Sequence, residues 1–489
     1  MRIIPSLFAW ASVTAAVHED SFSVTPEYAY SNEVARQTII NNQTFGNSWT
    51  DPSNTSFTPD TTDFNRVVLE LRVDSTGMNF DRFSQLYIDD IEIWRSSTAE
   101  PDNHGMSWTV YKDVSHYGEL FKDDCKVNFL IQNRVTNTYT GLFYVTLTAH
   151  FYDDEDSDPQ SEDGWILDLD DLPNDVKALT DSDDKPGSTW HAPDDNISVS
   201  VGPLDRSTNR AVVHVFASGS GEDEFWWDTK HSSPGPSRFV DVYVGDQLAG
   251  FAAPYPTIFT GGVDPNLWRP LVDLRTLDLP AYFIDITPFL PTLWDESTEI
   301  SVKVSNGVDD SEVPSSWIIS YNLLTWSTSG QENSGTTNDP TFESSSPSGD
   351  KDDTILVERN LTTSASLTIG GKQQDIKWEQ KTSYNNTIDG SDKKEVWQTT
   401  SGWSEVSGLY DYTFDYSYPF QCEMDNKKFY RVQQSYDVTA NEIDYSSWMD
   451  TSVTQDSGSF DSSEARQYFN GPNGSHFAHT ENMEVVSSW

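Results

Sequence analysis

Basic residues are scarce in this chain. Its 489 residues include 30 Lys plus Arg against 78 Asp plus Glu, a formal charge of -48 at pH 7. So few cations cannot neutralise a row of phosphates, which excludes nucleic acids and anionic membrane surfaces as partners. Cysteine is scarcer still, with only Cys125 and Cys422. A single long-range disulfide and two free thiols both fit, and neither is a disulfide framework. No apolar run is long enough to span a membrane. Long stretches with a 3.6-residue apolar period are missing too, which argues against a helical fold. There is no Gly-x-Ser-x-Gly elbow, phosphate loop or dinucleotide fingerprint. His476 and His479 give a His-x-x-His spacing, but no cysteine or helix stands beside them to complete four ligands. We expect no metal and no organic cofactor.

Aromatic residues are abundant at 13%, and they suit sheets and carbohydrate platforms alike. The carboxylate surplus reads as a solubility device for an acidic or salty extracellular medium, where protonation relieves self-repulsion. Residues 1–16 have one basic residue, a short apolar run and small residues at their end, the pattern of a secretory signal peptide. Asn42, Asn54, Asn196, Asn360, Asn385 and Asn473 each head an N-glycosylation triplet, in keeping with secretion.

Strand-like segments run through nearly the whole chain, as in Val67–Val73 and Tyr144–Phe151, with Gly, Pro, Asn and Asp between them. The fold class expected is all-β. We divide the chain into a first jelly-roll (β-sandwich) domain at 17–155, an acidic linker at 156–187 and a second jelly roll at 188–329. A flexible linker at 330–353 and a C-terminal β domain at 354–489 follow. A weak internal repeat supports the two sandwiches. Arg82-Phe83-Ser84-Gln85-Leu86-Tyr87-Ile88 matches Arg238-Phe239-Val240-Asp241-Val242-Tyr243-Val244, and Asp113-Val114-Ser115 matches Asp285-Ile286-Thr287. In the last domain Tyr410, Tyr412, Phe414, Tyr416, Tyr418 and Phe420 alternate with polar residues. That period of two puts them on one face of a strand, most simply a core face. His214 lies in an apolar strand and reads as a core residue.

Two stretches could carry chemistry. The turn Phe80-Asp81-Arg82-Phe83 holds a carboxylate where the second repeat has Ser237, so the copies differ there. An Asp-Arg pair beside a turn is by itself usually a weak surface ion pair. The loop Glu222-Asp223-Glu224-Phe225-Trp226-Trp227 crowds three carboxylates against aromatics. Repulsion and lost hydration there would raise a carboxyl pKa and could make a general acid, although a solvated acidic loop fits the same residues.

Longer stretches resemble the peptide:N-glycosidase A (glycoamidase A) family of plants and fungi. They are Asn79–Phe83, Tyr87–Pro101, Tyr139–Phe143, Asp223–Trp226 and Tyr255–Pro270, within a match from Thr38 to Leu293. The resemblance implies hydrolysis of the amide between N-acetylglucosamine and asparagine, with intact glycan released and asparagine converted to aspartate. It also implies two adjoining jelly rolls with the site at their interface. By motif, Asp81 inherits the principal catalytic role, Arg82 would orient it, and Glu224 is the second carboxylate. A third carboxylate of related bacterial enzymes falls near Ile131-Gln132-Asn133, where this chain has amides. Substrate contacts are expected from Asn133, Glu100, Trp226, Trp227, Trp268 and Arg269, the tryptophans being equally readable as core. The partners implied are N-glycopeptides and N-glycoproteins through their chitobiose core. Two other functions fit the same residues: a glycosidase cutting within that core, and a non-catalytic glycan-binding extracellular protein.

Overall fold

The computed structural model describes residues 19–488 except 26–27, 102, 155–171, 181–188, 194–196, 230–233, 310–312, 315, 347–353, 391–392, 426–427 and 457–458. The expected signal peptide, Asn196 and most of the expected 156–187 linker lie outside the described residues.

Nine strands make the first unit: β1 (Glu19–Asp20), β2 (Glu33–Phe45), β3 (Thr55–Phe57), β4 (Arg66–Thr76), β5 (Phe83–Ile88), β6 (Ile91–Ser97), β7 (Met106–Asp113), β8 (Cys125–Ile131) and β9 (Leu142–Tyr152). They form two sheets, β1-β7-β4-β9-β2 and β3-β8-β5-β6. Alternation along the strands explains how these pack. Phe143, Val145, Leu147, Ala149 and Phe151 of β9 are all fully buried, and β4 buries Val67, Leu69, Leu71 and Val73 on its own inner face. Each large apolar side chain so placed contributes about 1.5–3 kcal/mol of transfer free energy.

The second unit repeats this plan. It holds β10 (Asp175–Ala178), β11 (Trp190–Ala192), β12 (Ser198–Val201), β13 (Thr208–Gly219), β14 (Phe239–Val244), β15 (Gln247–Ala252), β16 (Ala281–Asp285), β17 (Thr298–Ser305) and β18 (Trp317–Ser327). The sheet β12-β17-β14-β15 has the order of β3-β8-β5-β6. The other sheet, β10-β18-β13-β16, has the order of β2-β9-β4-β7. The repeat extends to single hydrogen bonds. Asp113 Oδ1 accepts from Ser115 N at 2.8 Å, and Asp285 Oδ1 accepts from Thr287 N at 2.9 Å. The hydroxyls of Ser115 and Thr287 in turn accept from Val67 N and Ala211 N.

A buried polar network joins the two units. Arg95 pairs with Glu92 at 2.7 Å with both side chains wholly buried. Its Nη1 donates across the interface to Ser218 Oγ and to the Ile318 carbonyl. Asn322 Nδ2 donates to the Glu92 carbonyl and to Tyr117 Oη. Tyr117 Oη lies 2.6 Å from Nδ1 of His214, a buried residue stacked on Phe283. A charge pair with no water around it must be met by donors and acceptors in fixed places, so this network sets the orientation of the two units.

The remainder is one antiparallel sheet of eleven strands. It begins with β19 (Ser334–Thr337) and β20 (Thr341–Ser345), both paired with β21 (Thr354–Ile369). The 330–353 stretch, expected as a flexible linker, therefore contributes two edge strands. Most of its described side chains are exposed, and it is held by strand pairing with β21 together with side-chain hydrogen bonds from Asn333 to the Thr208 carbonyl and from Thr337 to the Pro288 carbonyl. The sheet continues through β22 (Lys372–Asp389), β23 (Lys393–Ser407), β24 (Tyr412–Asp425), β25 (Phe429–Ala440), β26 (Ile443–Asp456), β27 (Ser459–Gly471), β28 (Gly474–Glu481) and β29 (Glu484–Ser488). Tyr412, Tyr418 and Phe420 are buried, and Tyr418 meets Tyr255 of the second unit edge to face at 5.4 Å. Arg359 reaches from β21 to Asp241 at 2.6 Å in a buried pair. Cys125 and Cys422 are separate buried thiols. All five described acceptor asparagines are exposed. Among the described residues no helix is long and apolar enough to cross a membrane.

Candidate active site

The turn that leads into β5 starts at Gly77, whose φ of +81° favours glycine. Asn79, fully buried, is its hub. Its Oδ1 accepts from Arg82 Nε and Nη2 at 3.0 and 2.6 Å, and from the Phe80 N–H at 2.9 Å. Its Nδ2 donates to Asn133 Oδ1 at 2.7 Å and to the Gly141 carbonyl at 3.1 Å. Asn133 is thus a wholly buried structural amide, bonded to Phe45 and Gly141 carbonyls, and not a substrate contact. Arg82 lines the cleft beside Asp81. Its side-chain hydrogen bonds go to Asn79, and its charge favours the ionised form of Asp81. The loop is pinned to the strand end beyond β6, where Arg82 N donates to Thr98 Oγ1 and Thr98 N to the Arg82 carbonyl.

Asp81 and Glu224 line one cleft of about 820 Å³ between the two sandwiches. Trp49, Pro52, Gln85, Gln132, His191 and Phe259 also line it. The loop after β13 sorts its three carboxylates sharply. Glu222 is exposed. Asp223 is fully buried and held by Arg238 through two 2.6 Å hydrogen bonds, with Trp317 Nε1 as a further donor. Glu224 alone of the three faces the cleft. The second repeat's arginine has thereby taken Asp223 for the scaffold.

Glu100 joins Asp81 from the other side. A Cβ on Gly261 would lie 2.5 Å from Asp81 Oδ1 and 3.4 Å from Glu100 Oε2, so the two oxygens flank the same glycine. The Gly261 N–H donates to Asp81. The loop carrying Gly261 is tied to the first unit by Thr260 Oγ1, which donates to the Thr98 carbonyl at 2.8 Å, and by Arg269 Nη2, which donates to the Glu100 carbonyl at 2.9 Å. Asp273 braces it from behind by accepting the Ile258 N–H.

Burial pushes the Asp81 carboxyl above its ordinary value, against the opposing pull of the Gly261 N–H and the Arg82 charge. Glu224 is pushed up to about 7 by burial first and by Asp81's charge second. Glu100 also rises to about 7, through burial, then Asp81, with Arg269 pulling the other way and Asp264 adding to the rise. A weak acid beside a stronger one can hold a proton while its neighbour is ionised. That is the division of labour an acid–base hydrolysis needs. Among the described residues no group of three His, Cys, Asp or Glu side chains is placed to hold a metal ion.

The three tryptophans expected as sugar faces are corrected. Trp226, Trp227 and Trp268 are buried. Trp227 packs on Phe420 of the large sheet at 4.6 Å, and Trp268 Nε1 donates to the Gly262 carbonyl at 2.8 Å. They anchor the loops that carry Glu224 and Gly261. The exposed aromatics near the carboxylates are Trp49, Phe80 and Phe225, with Tyr139 lying 3.9 Å from the Phe80 ring. Phe80 and Phe225 each adjoin a cleft carboxylate in the chain, a signal the sequence does contain.

Residues 24–342 match the family described as peptide N-acetyl-beta-D-glucosaminyl asparaginase amidase A, and residues 353–420 match the PNGase A C-terminal domain. The peptide-N4-(N-acetyl-beta-glucosaminyl)asparagine amidase A of Prunus dulcis is 31% identical over 287 residues, 54% of this chain and 48% of the relative. The chain thus matches about half the length of that relative. Among solved structures, PNGase F of Flavobacterium meningosepticum is 13% identical at a TM-score of 0.40, covering 60% of this chain and 96% of the other. PNGF-II is 14% identical at 0.38, covering 60% and 66%. With most of its length spanned by the first of these family matches, the chain belongs to the peptide N-acetyl-beta-D-glucosaminyl asparaginase amidase A family.

Proposed function

We propose that this protein is a secreted amidase that cleaves the N-acetylglucosaminyl–asparagine bond of glycopeptides and glycoproteins. Intact N-glycan leaves and the asparagine becomes aspartate. The observation that carries the reading is the meeting of Asp81 and Glu224 in one cleft, where Asp81's charge raises the proton affinity of Glu224. An amide is a poor electrophile with a poor leaving group. Asp81, whose ionised form the Gly261 N–H and Arg82 favour against its burial, takes a proton from the water that attacks the amide carbon. Glu224 holds a proton below about pH 7 and delivers it to the departing nitrogen. Arg82 supplies positive charge where an oxyanion would develop. The chitobiose core rests against Trp49, Phe80 and Phe225.

The test is incubation with a defined glycopeptide at acid pH, followed by mass spectrometry of the peptide. The expected product carries aspartate and no sugar. A peptide retaining one N-acetylglucosamine would replace this reading with a glycosidase, and untouched glycopeptide would leave only glycan binding. Asp81→Asn and Glu224→Gln should each lower kcat by about 10²–10⁴ with the fold intact. Full activity in Asp81→Asn would remove it from the mechanism.

A further inference from the structure

Glu100 follows β6, its carbonyl held by Arg269. Its Oε2 is sealed from solvent, and among the described residues no donor reaches it. Asp81 lies just across Gly261, so only a glycine's hydrogens separate the two carboxyl groups. An anion at Oε2 would be buried, unmatched and next to a second anion, all of which favour its neutral form. Among the described residues the charged neighbours are few. Asp81 and Arg82 come from the turn before β5, and Asp264 and Arg269 from the loop behind it. Glu224 meets this group through Asp81. Of these only Arg269 favours a charged Glu100 directly, and burial together with the two aspartates outweighs it.

We infer that Glu100 is a positioning residue for Asp81, holding a proton so that Asp81 is the lone anion seated against Gly261. Loss of that proton puts two anions on one glycine, unseats Asp81 and stops turnover. Glu100 on this account does not touch the sugar. The inference rests on Asp81 as the catalytic carboxylate. It adds a second titration to the alkaline side of the pH profile, beyond that of Glu224.

The experiment compares wild type with Glu100→Gln, whose amide imitates the neutral acid. kcat and KM on a glycopeptide are measured from about pH 4 to about pH 9. The wild-type log kcat/KM should fall with a slope of about -2 on the alkaline side and the variant's with about -1, so that one pH unit past the bend the variant is about tenfold faster. At acid pH its kcat and KM should stay within about threefold of wild type. Superimposable profiles would overturn the inference. So would a KM raised more than about tenfold with an unchanged profile, which would mark a sugar contact. Loss of turnover at every pH in a folded variant would overturn it as well, since the amide should serve. In infrared difference spectra one carboxylic-acid component that disappears near pH 7 should be present in wild type and missing from Glu100→Gln, while that of Glu224 remains, whether or not wild type turns over. An inactive wild type would defeat the amidase reading, and absence of the band would defeat the proton on Glu100.

Discussion

Gly261→Ala places one methyl group where two carboxyl oxygens meet. The backbone there is outside the left-handed region, so alanine adds no conformational strain and the effect is purely steric. The new Cβ would stand 2.5 Å from Asp81 Oδ1, whereas ordinary contact begins at 3.4 Å. Asp81 must therefore retreat by about 0.9 Å or drag its turn with it. Its retreat is resisted on the other side, where Asn79 and Thr98 fix the turn through four hydrogen bonds. Misplacement of a reacting group by about 1 Å costs roughly 100-fold, near 2.7 kcal/mol of barrier. The stability cost should be smaller, about 1–2 kcal/mol, because the crowded atoms end a side chain at the rim of a cleft. The assay is kcat/KM for glycopeptide hydrolysis beside thermal unfolding of the same preparation. Activity within threefold of wild type in a well-folded variant would refute the reasoning, since either Asp81 does not sit against Gly261 or its position does not matter.

Asp223→Ala removes the partner of a fully buried Arg238, and we expect a loss of about 3–5 kcal/mol in chemical denaturation. A change under 1 kcal/mol would contradict the assigned scaffold role. Trp227→Ala should destabilise by about 3–5 kcal/mol, while Trp49→Ala should leave unfolding unchanged and raise KM roughly three- to tenfold. The reverse pattern would restore the buried tryptophan as the sugar platform. Stability should also be greater in acid than at neutral pH. Glu100 and Glu224 titrate about 7 in the fold against an ordinary 4.5, so their ionisation is disfavoured by folding. Their contribution is full below 4.5 and is lost as pH rises through about 7, on the order of a few kcal/mol for the two together. Unfolding free energies that rise between about pH 5 and about pH 8, or a Glu100→Gln/Glu224→Gln double variant with the same slope as wild type, would contradict this.

The two-sandwich plan was legible because its repeat is written in turns and caps. Arg82-Phe83 and Arg238-Phe239 open equivalent strands, and the paired Asp113 and Asp285 make the same hydrogen bonds. Asp81 could be picked out because the second copy lacks a carboxylate there. What could not be read was which way a side chain points. Trp226, Trp227 and Phe225 are neighbours, yet only Phe225 is exposed. Asn133 looked like a substitute for a lost acid, but its partner Asn79 makes it part of the turn. The polar 330–353 stretch carries no apolar alternation, so its two strands left no mark before the edge of β21 was known.

Among the described residues the eleven-stranded sheet lends no side chain to the lining of the cleft, yet it backs the loops that carry Glu224 and Gly261. Asn386 Nδ2 donates to the Trp227 carbonyl, Thr451 Oγ1 to the Leu267 carbonyl and Gln467 Nε2 to the Val272 carbonyl. Phe420 covers Trp227. The sheet works as a splint rather than as a detachable module. A protein cut after the second sandwich would keep Asp81, Glu100 and Glu224 in its sequence but bare an apolar flank, and their spacing would drift with the loops. The geometry of the cleft therefore depends on strands far down the chain that line none of it.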